Sequence, residues 1–324
     1  MSNNQRLQDD VKAFVRKTIT SLNIDWSDED GRIDPICQVL RIITDEFTVE
    51  KYDFTLAMDV FVETAPKELS LCLEEILSLA EADADYDAKE KVYFAAYYAL
   101  SLIYKKEDNQ EGLLSLTSAK YDIFGNFALH FEVYSRYFKR VDNFKKALSC
   151  DKLAINVLGS RGVENVGLLI SYASTVCIML RKREPSLKDN DIALAKQYID
   201  RAIAFNPAYP KYYFLKAQLT FLSAVREGMN TEQLIDARDE ATALIDEQAD
   251  VYLYIIYYNR NRYLEKERAK YEEFKEYMDD VIDRKASPRF PVSLDELERR
   301  KKAILEASDQ DHCVSASILP PLPD

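Results

Sequence analysis

Glycine is scarce in this chain: 7 residues among 324, against 15 Phe and 21 Tyr. Strand-rich folds spend glycine on turns that need positive φ, so its scarcity argues for helices joined by short loops. Histidine is rarer still, with 2 in the chain, and no HExxH, P-loop, GxGxxG or GxSxG occurs. His130 falls between Phe127 and Phe131 in a helical stretch, which reads as a core or groove position rather than a base. His312 and Cys313 adjoin in a tail that offers no third group to orient them. The five cysteines (Cys37, Cys72, Cys150, Cys177 and Cys313) lie far apart without a CxxC pair. They read as reduced, mostly buried thiols. We therefore expect no enzymatic activity, no metal and no cofactor. No apolar run approaches the ~18 residues of a membrane span, and the polar stretch Met1–Asp10 is no signal peptide. The expectation is a cytoplasmic protein without a membrane partner.

What is present is charge, distributed unevenly. The net charge is −13, with hydrophobic residues at 47% and charged ones at 31%, enough for both a core and solubility. Residues 1–92 hold 10 basic and 21 acidic side chains, so most of the negative charge sits in the first quarter. A chain of this balance lacks the net basic face that nucleic acid requires. The asymmetry marks residues 1–87 as an acidic N-terminal helical module, either a solvated surface or a docking surface for a basic partner.

That module reads as four helices. Gln5–Leu22 carries an apolar stripe through Val11, Phe14, Val15, Ile19 and Leu22. Pro35 stands where an N1 proline would open a helix through Ile36, Val39, Leu40 and Ile43. A third helix runs roughly from Tyr52 to Thr64, and Pro66 starts a fourth with Leu69, Leu73, Ile76 and Leu77 on one face. Glu81–Asp87 reads as an acidic linker.

Beyond it, Tyr97, Leu100, Ser101 and Tyr104 recur 34 positions later as Phe131, Tyr134, Ser135 and Phe138, and Gly125 recurs as Gly159. Large residues spaced by three and four around a small one, at this period, signal stacked helical hairpins. The unit from Ala128 adds Ala147 and Ala154 to its second helix, with Gly159 as terminator and Asp151 where an aromatic is usual. Ala195–Pro207, with Ile199, Ala202 and Asn206, reads as another second helix, and Tyr213 and Ala217 follow in the next. On these residues the chain resembles tetratricopeptide-repeat proteins over about residues 88–260. The resemblance implies an all-α fold: a right-handed superhelical array of antiparallel helix hairpins behind the N-terminal helical module. Arg183–Asp191 and Arg226–Asn230 read as lengthened turns. Asp250–Lys285 has no internal Gly or Pro and reads as one long helix capping the array. Residues 261–307 form C-terminal capping helices, the last of them opened by Ser293, and 308–324 a flexible Pro-rich tail.

In such arrays, defined first-helix positions line a concave groove. The register places Tyr98, Lys105, Lys106, Arg136, Lys139, Arg140, Lys211, Phe214, Gln218, Tyr252, Asn259 and Arg260 there. This is a basic lining with aromatics interleaved, suited to an acidic segment or a chain terminus. Ile318, Leu319 and Leu322, spaced by prolines, suit docking as an extended peptide, in trans or back into the chain's own groove. The function expected is a non-enzymatic scaffold or adaptor binding another protein or peptide. The alternative is a ligand- or peptide-regulated switch that releases or inhibits a partner.

Overall fold

The computed structural model describes residues 3–26, 31–207, 209–257 and 261–286. Among them are thirteen α-helices, one 3-10 helix and no strand. The N-terminal quarter contains α1 (Asn3–Ser21), α2 (Ile33–Glu46), α3 (Tyr52–Thr64) and α4 (Leu69–Ala80). Pro35 is the third residue of α2 rather than its first. It still lies in the opening turn, where a missing N–H leaves no helical bond unmade. Pro66 precedes α4, its carbonyl accepting the Leu69 N–H at 3.2 Å.

The helix α5 (Tyr86–Glu107) is the spine of the molecule. Every residue from Tyr93 to Tyr104 is buried, because helices pack around its whole circumference. Its partner α6 (Gln110–Leu116) is short and gives way to a 3-10 helix, Ala119–Phe124. Gly112 lets α6 approach, since a Cβ there would sit 2.7 Å from the Tyr104 ring. The composition boundary at residue 87 is not a break in the core: one apolar cluster runs from Val11 to Leu168.

Regular hairpins follow. They are α7 (Ala128–Arg140) with α8 (Phe144–Ser160), α9 (Val166–Arg181) with α10 (Asp189–Phe205), and α11 (Pro210–Arg226) with α12 (Thr231–Tyr257). The lengthened turns fall at 182–188 and 227–230, where Gly228 takes φ +73°. Gly159 does not terminate α8; it lies inside the helix, and Gly162 at φ +67° makes the turn. The Val163 N–H reaches back to Leu158 O at 3.0 Å and the Gly162 N–H to Gly159 O at 3.1 Å. Gly162→Ala is expected to cost about 1 kcal/mol, because alanine resists that φ, whereas Gly159→Ala should stabilise slightly. Urea midpoints of the two variants should move in opposite directions.

The single long helix expected over Asp250–Lys285 is instead a hairpin. The helix α13 (Asn261–Ala286) turns back along α12, with Lys275 bonded to Asp246 at 2.8 Å and Arg238 to Asp279 at 3.1 Å. Burial explains the reversal. Tyr271, Phe274, Met278 and Ile282 find an apolar home against Phe221, Leu234 and Ile245 that a straight helix would forfeit. The array is thus capped by α13; the helix expected after Ser293 lies outside the described residues.

The 34-residue echo has a direct structural meaning. Tyr98 donates to Glu132, Arg136 to Ser101 and Arg140 to the Lys105 carbonyl, pairs separated by 34, 35 and 35 positions. First helices of successive units therefore run parallel, side by side, with the buried Ser101 and Ser135 at equivalent positions.

Candidate functional site

Four parallel first helices, α3, α5, α7 and α9, make lateral contacts in turn, and α9 also touches α3, so the four close a ring. The closure is built by Glu50, just before α3. Its carboxylate accepts the Ala128 N–H at the start of α7 and pairs with Arg161 at 3.0 Å. Its backbone carbonyl accepts from Asn165 Nδ2 at 2.7 Å, while Asn165 Oδ1 caps α9 through the Gly167 N–H at 2.9 Å. Glu50 holds φ +76°, a conformation that a side chain with a Cβ resists. Beside it, Tyr52 packs on Phe205, ring centroids 5.3 Å apart, and accepts from Gln8.

Above this clasp the ring is filled by Phe54 and Tyr98, whose rings lie 6.0 Å apart. A polar layer follows. Arg136 lies over the Tyr98 ring at 4.7 Å and donates to the Tyr98 hydroxyl at 2.8 Å and to Glu132 at 2.7 Å. Tyr98 completes the triangle with Glu132 at 2.9 Å. Burial alone would push the Glu132 carboxyl up, but the charges of Arg136 and then Lys105 outweigh it and hold the carboxyl below its ordinary value. The guanidinium is raised in return, chiefly by Glu132 acting against burial. Its Nε finds no acceptor among the described residues.

A second buried carboxylate stands nearby. Asp151, fully buried, accepts from Thr175 at 2.5 Å and Ser171 at 3.0 Å, and Lys139 approaches it to 3.3 Å. The aromatic that the repeat pattern expects at this position is replaced by a satisfied ion pair.

Toward the open end of the ring stand Asp59 on α3 and Lys105 on α5. Both side chains are exposed to water, and neither makes a hydrogen bond or ion pair among the described residues. Loss of surrounding solvent is nonetheless the largest influence on each. It raises the Asp59 carboxyl and, with Arg136 adding repulsion, pushes the Lys105 ammonium down to about 8.

The structure thus places the residues selected by register unequally. Tyr98, Lys105, Arg136 and Lys139 converge on the ring. Arg140 sits at its edge and staples α5 to α7, pairing with Asp108 at 2.7 Å. Lys106 lies near the rim, 4.0 Å from Glu63. Lys211, Phe214 and Gln218 are half-buried on α11, beyond the ring, and Phe214 is covered by Tyr271 at 4.6 Å. Asn259, Arg260, Ile318, Leu319 and Leu322 lie outside the described residues, as does the side chain of Tyr252. The lining expected to be basic is mixed, because Asp59, Glu63 and Glu132 face the same space. Asp59 and Glu63 escaped the sequence because α3 carries no repeat register.

Other chemistry is sparse. His130 is buried, bonded to the Tyr97 hydroxyl at 2.9 Å, and burial pushes it down to about 4, leaving a neutral imidazole. Cys72, Cys150 and Cys177 are buried and Cys37 partly so, with burial raising each thiol; Cys313 lies outside the described residues. Among the described residues no group of three His, Cys, Asp or Glu is placed to hold a metal ion. None of the described helices is long and apolar enough to cross a membrane. Two clefts open elsewhere, about 950 Å³ between α2 and the α4–α5 hairpin and about 530 Å³ among α10, α11 and α12. No protein-family model matches the sequence, and no relative is found among curated proteins.

Proposed function

We propose that the chain is a non-enzymatic helical-repeat scaffold or adaptor of tetratricopeptide type, cytoplasmic, that binds another protein or peptide in the concave groove of its first helices, α3, α5, α7 and α9. The observation that carries this is the side-by-side packing of α3, α5, α7 and α9, on whose first two helices the side chains of Asp59 and Lys105 are exposed and make no hydrogen bond or ion pair among the described residues. Arg136, Lys139 and Arg140 already hold acceptors of their own. Lys105 is therefore the cation left for an acidic group or chain terminus, and Asp59 adds a demand for positive charge. The partner's contacting segment carries both signs.

The test is capture of a purified partner on immobilised protein. Charge-assisted bonds contribute about 1.5–3 kcal/mol each. Lys105→Glu combined with Asp59→Lys should weaken capture about tenfold or more, whereas Lys145→Glu, exposed on α8, should leave it unchanged. Equal capture by all three proteins removes the ring from the binding surface.

The second reading, a ligand-regulated switch, draws support from the ring's shape. Phe54, Tyr98 and the Glu50 clasp fill one end of the ring, which favours a small molecule or a chain end over a segment threading through it.

A further inference from the structure

We propose that the cleft among α10, α11 and α12 is a docking site for the chain's own segment 296–307, held there by the basic run at residues 299–302. The cleft is separate from the concave groove, and its occupant does not depend on what that groove binds.

Three observations lead there. First, the cleft is a trough of about 530 Å³. Its floor is one face of α11, from Lys216 through Leu219 and Ser223 to Glu227, about 16 Å long, and α10 and α12 form its walls. Second, acidic charge along it is unanswered. Glu227, Asp236 and Glu240 are exposed there without a hydrogen bond or ion pair among the described residues, whereas Asp200 on α10 is met by Lys216 at 2.9 Å. The larger cleft beside α2 differs, since its Asp83 is met by Lys89 at 2.8 Å and its Asp45 by Arg41 at 3.8 Å. Third, α13 ends at this trough. In its last turn Lys285 donates to the Gly228 carbonyl at 3.2 Å, between Glu227 and Met229 of the lining. Arg299 follows Ala286 by thirteen positions, which stretch to about 40 Å, so the whole floor lies within reach.

The residues of that segment complement the lining. Arg299, Arg300, Lys301 and Lys302 are the longest run of basic residues in the chain, and they meet the three free carboxylates. Ile304 and Leu305 follow, apolar partners for Leu219 and Met229. Glu298 and Glu306 bracket the run and answer Lys196, which lines the α10 wall without a partner among the described residues. An uncharged or anionic occupant would leave the acidic side chains unanswered. A basic segment tethered within reach also has an effective concentration that a free one lacks.

The experiment uses the full chain carrying Cys313→Ser, with Gln233→Cys on the α12 wall paired with Ala303→Cys. A short bis-maleimide joins the two thiols, and peptide mapping identifies the link. Linking should be about fivefold or more faster than for Glu276→Cys paired with Ala303→Cys, because Glu276 is exposed on α13 near the chain's exit but outside the cleft. Glu227→Lys, Asp236→Lys and Glu240→Lys together should abolish that advantage. Changing residues 299–302 to Glu in the same chain should restore it. Circular dichroism checks that each variant folds. If one does not, salt raised from about 0.05 to about 1 M decides the matter without charge reversal, since the advantage should fall about threefold or more. The proposal is overturned if both pairs link equally fast, if reversal or salt leaves the advantage intact, or if the double reversal fails to restore it. Links that join two chains would also overturn it, making the occupant a segment of a second copy.

Discussion

Arg136→Met is expected to destabilise the protein by about 3–5 kcal/mol, the cost of leaving a buried carboxylate without its partner. The stranded group is Glu132, buried beneath the ring and bonded to Arg136 at 2.7 Å. Urea unfolding at neutral pH measures the loss. Adding Glu132→Gln should restore at least half of it, because the amide keeps an acceptor for the Tyr98 hydroxyl without a charge. The pH profile separates this from simple loss of packing. In the intact protein the Glu132 carboxyl lies below its ordinary value of 4.5. Its contribution is therefore present above pH 4.5 and fades as pH falls through the lowered value. Without Arg136, burial dominates and the carboxyl rises. The sign inverts, and the variant should lose stability as pH rises from 4.5 toward neutrality. A profile parallel to that of the intact protein would contradict the assigned role.

The second large effect is expected at Glu50. Glu50→Ala removes the acceptor for the Ala128 N–H and the partner of Arg161, and should cost about 2–3 kcal/mol. Glu50→Gly loses the same bonds but relieves the left-handed backbone at φ +76°, so it should be about 1 kcal/mol less harmful than alanine. Glu50→Gln keeps the acceptor for Ala128. Burial raises the Glu50 carboxyl, so ionising it costs stability as pH climbs through and above the ordinary carboxylate range. The glutamine variant should show a flatter profile there. If alanine and glycine prove equal, backbone strain has no part in the clasp.

Local pattern made much of this architecture legible. The sequence places a helix roughly over Tyr52–Thr64, where α3 lies, and the echo anticipates the side-by-side packing of α5 and α7 through Ser101 and Ser135. Lengthened turns around Pro185 and Gly228 follow from the punctuation of the sequence. What stayed hidden depends on partners remote in the chain. Register assigns Arg136 to the groove without revealing that Glu132, one helical turn earlier, and Tyr98, from the preceding unit, would consume its donors. Asp151 reads as a flaw until Ser171, Thr175 and Lys139 close around it. Asp59 and Glu63 join this face because α3 packs beside α5, where Glu63 lies 4.0 Å from Lys106, a pairing between the N-terminal helices and the array that no periodicity encodes. The reversal between α12 and α13 carries no glycine or proline to announce it; it follows from the apolar faces that meet there.

The closed ring has a thermodynamic consequence. In a linear solenoid each repeat couples to its neighbours alone, so the array melts by fraying from its ends. Here Glu50 joins the first helices to residues 128, 161 and 165, so α1 to α9 should unfold as one cooperative block. Beyond it, α10 shares an apolar cluster with α8 and α9, whereas α11 to α13 build a cluster of their own and remain free to peel. Hydrogen exchange should divide the chain accordingly, with one common opening energy for the ring and a graded decline toward α13. The closure also links distant sequence, so folding of the block waits on a large loop that an open array never has to close.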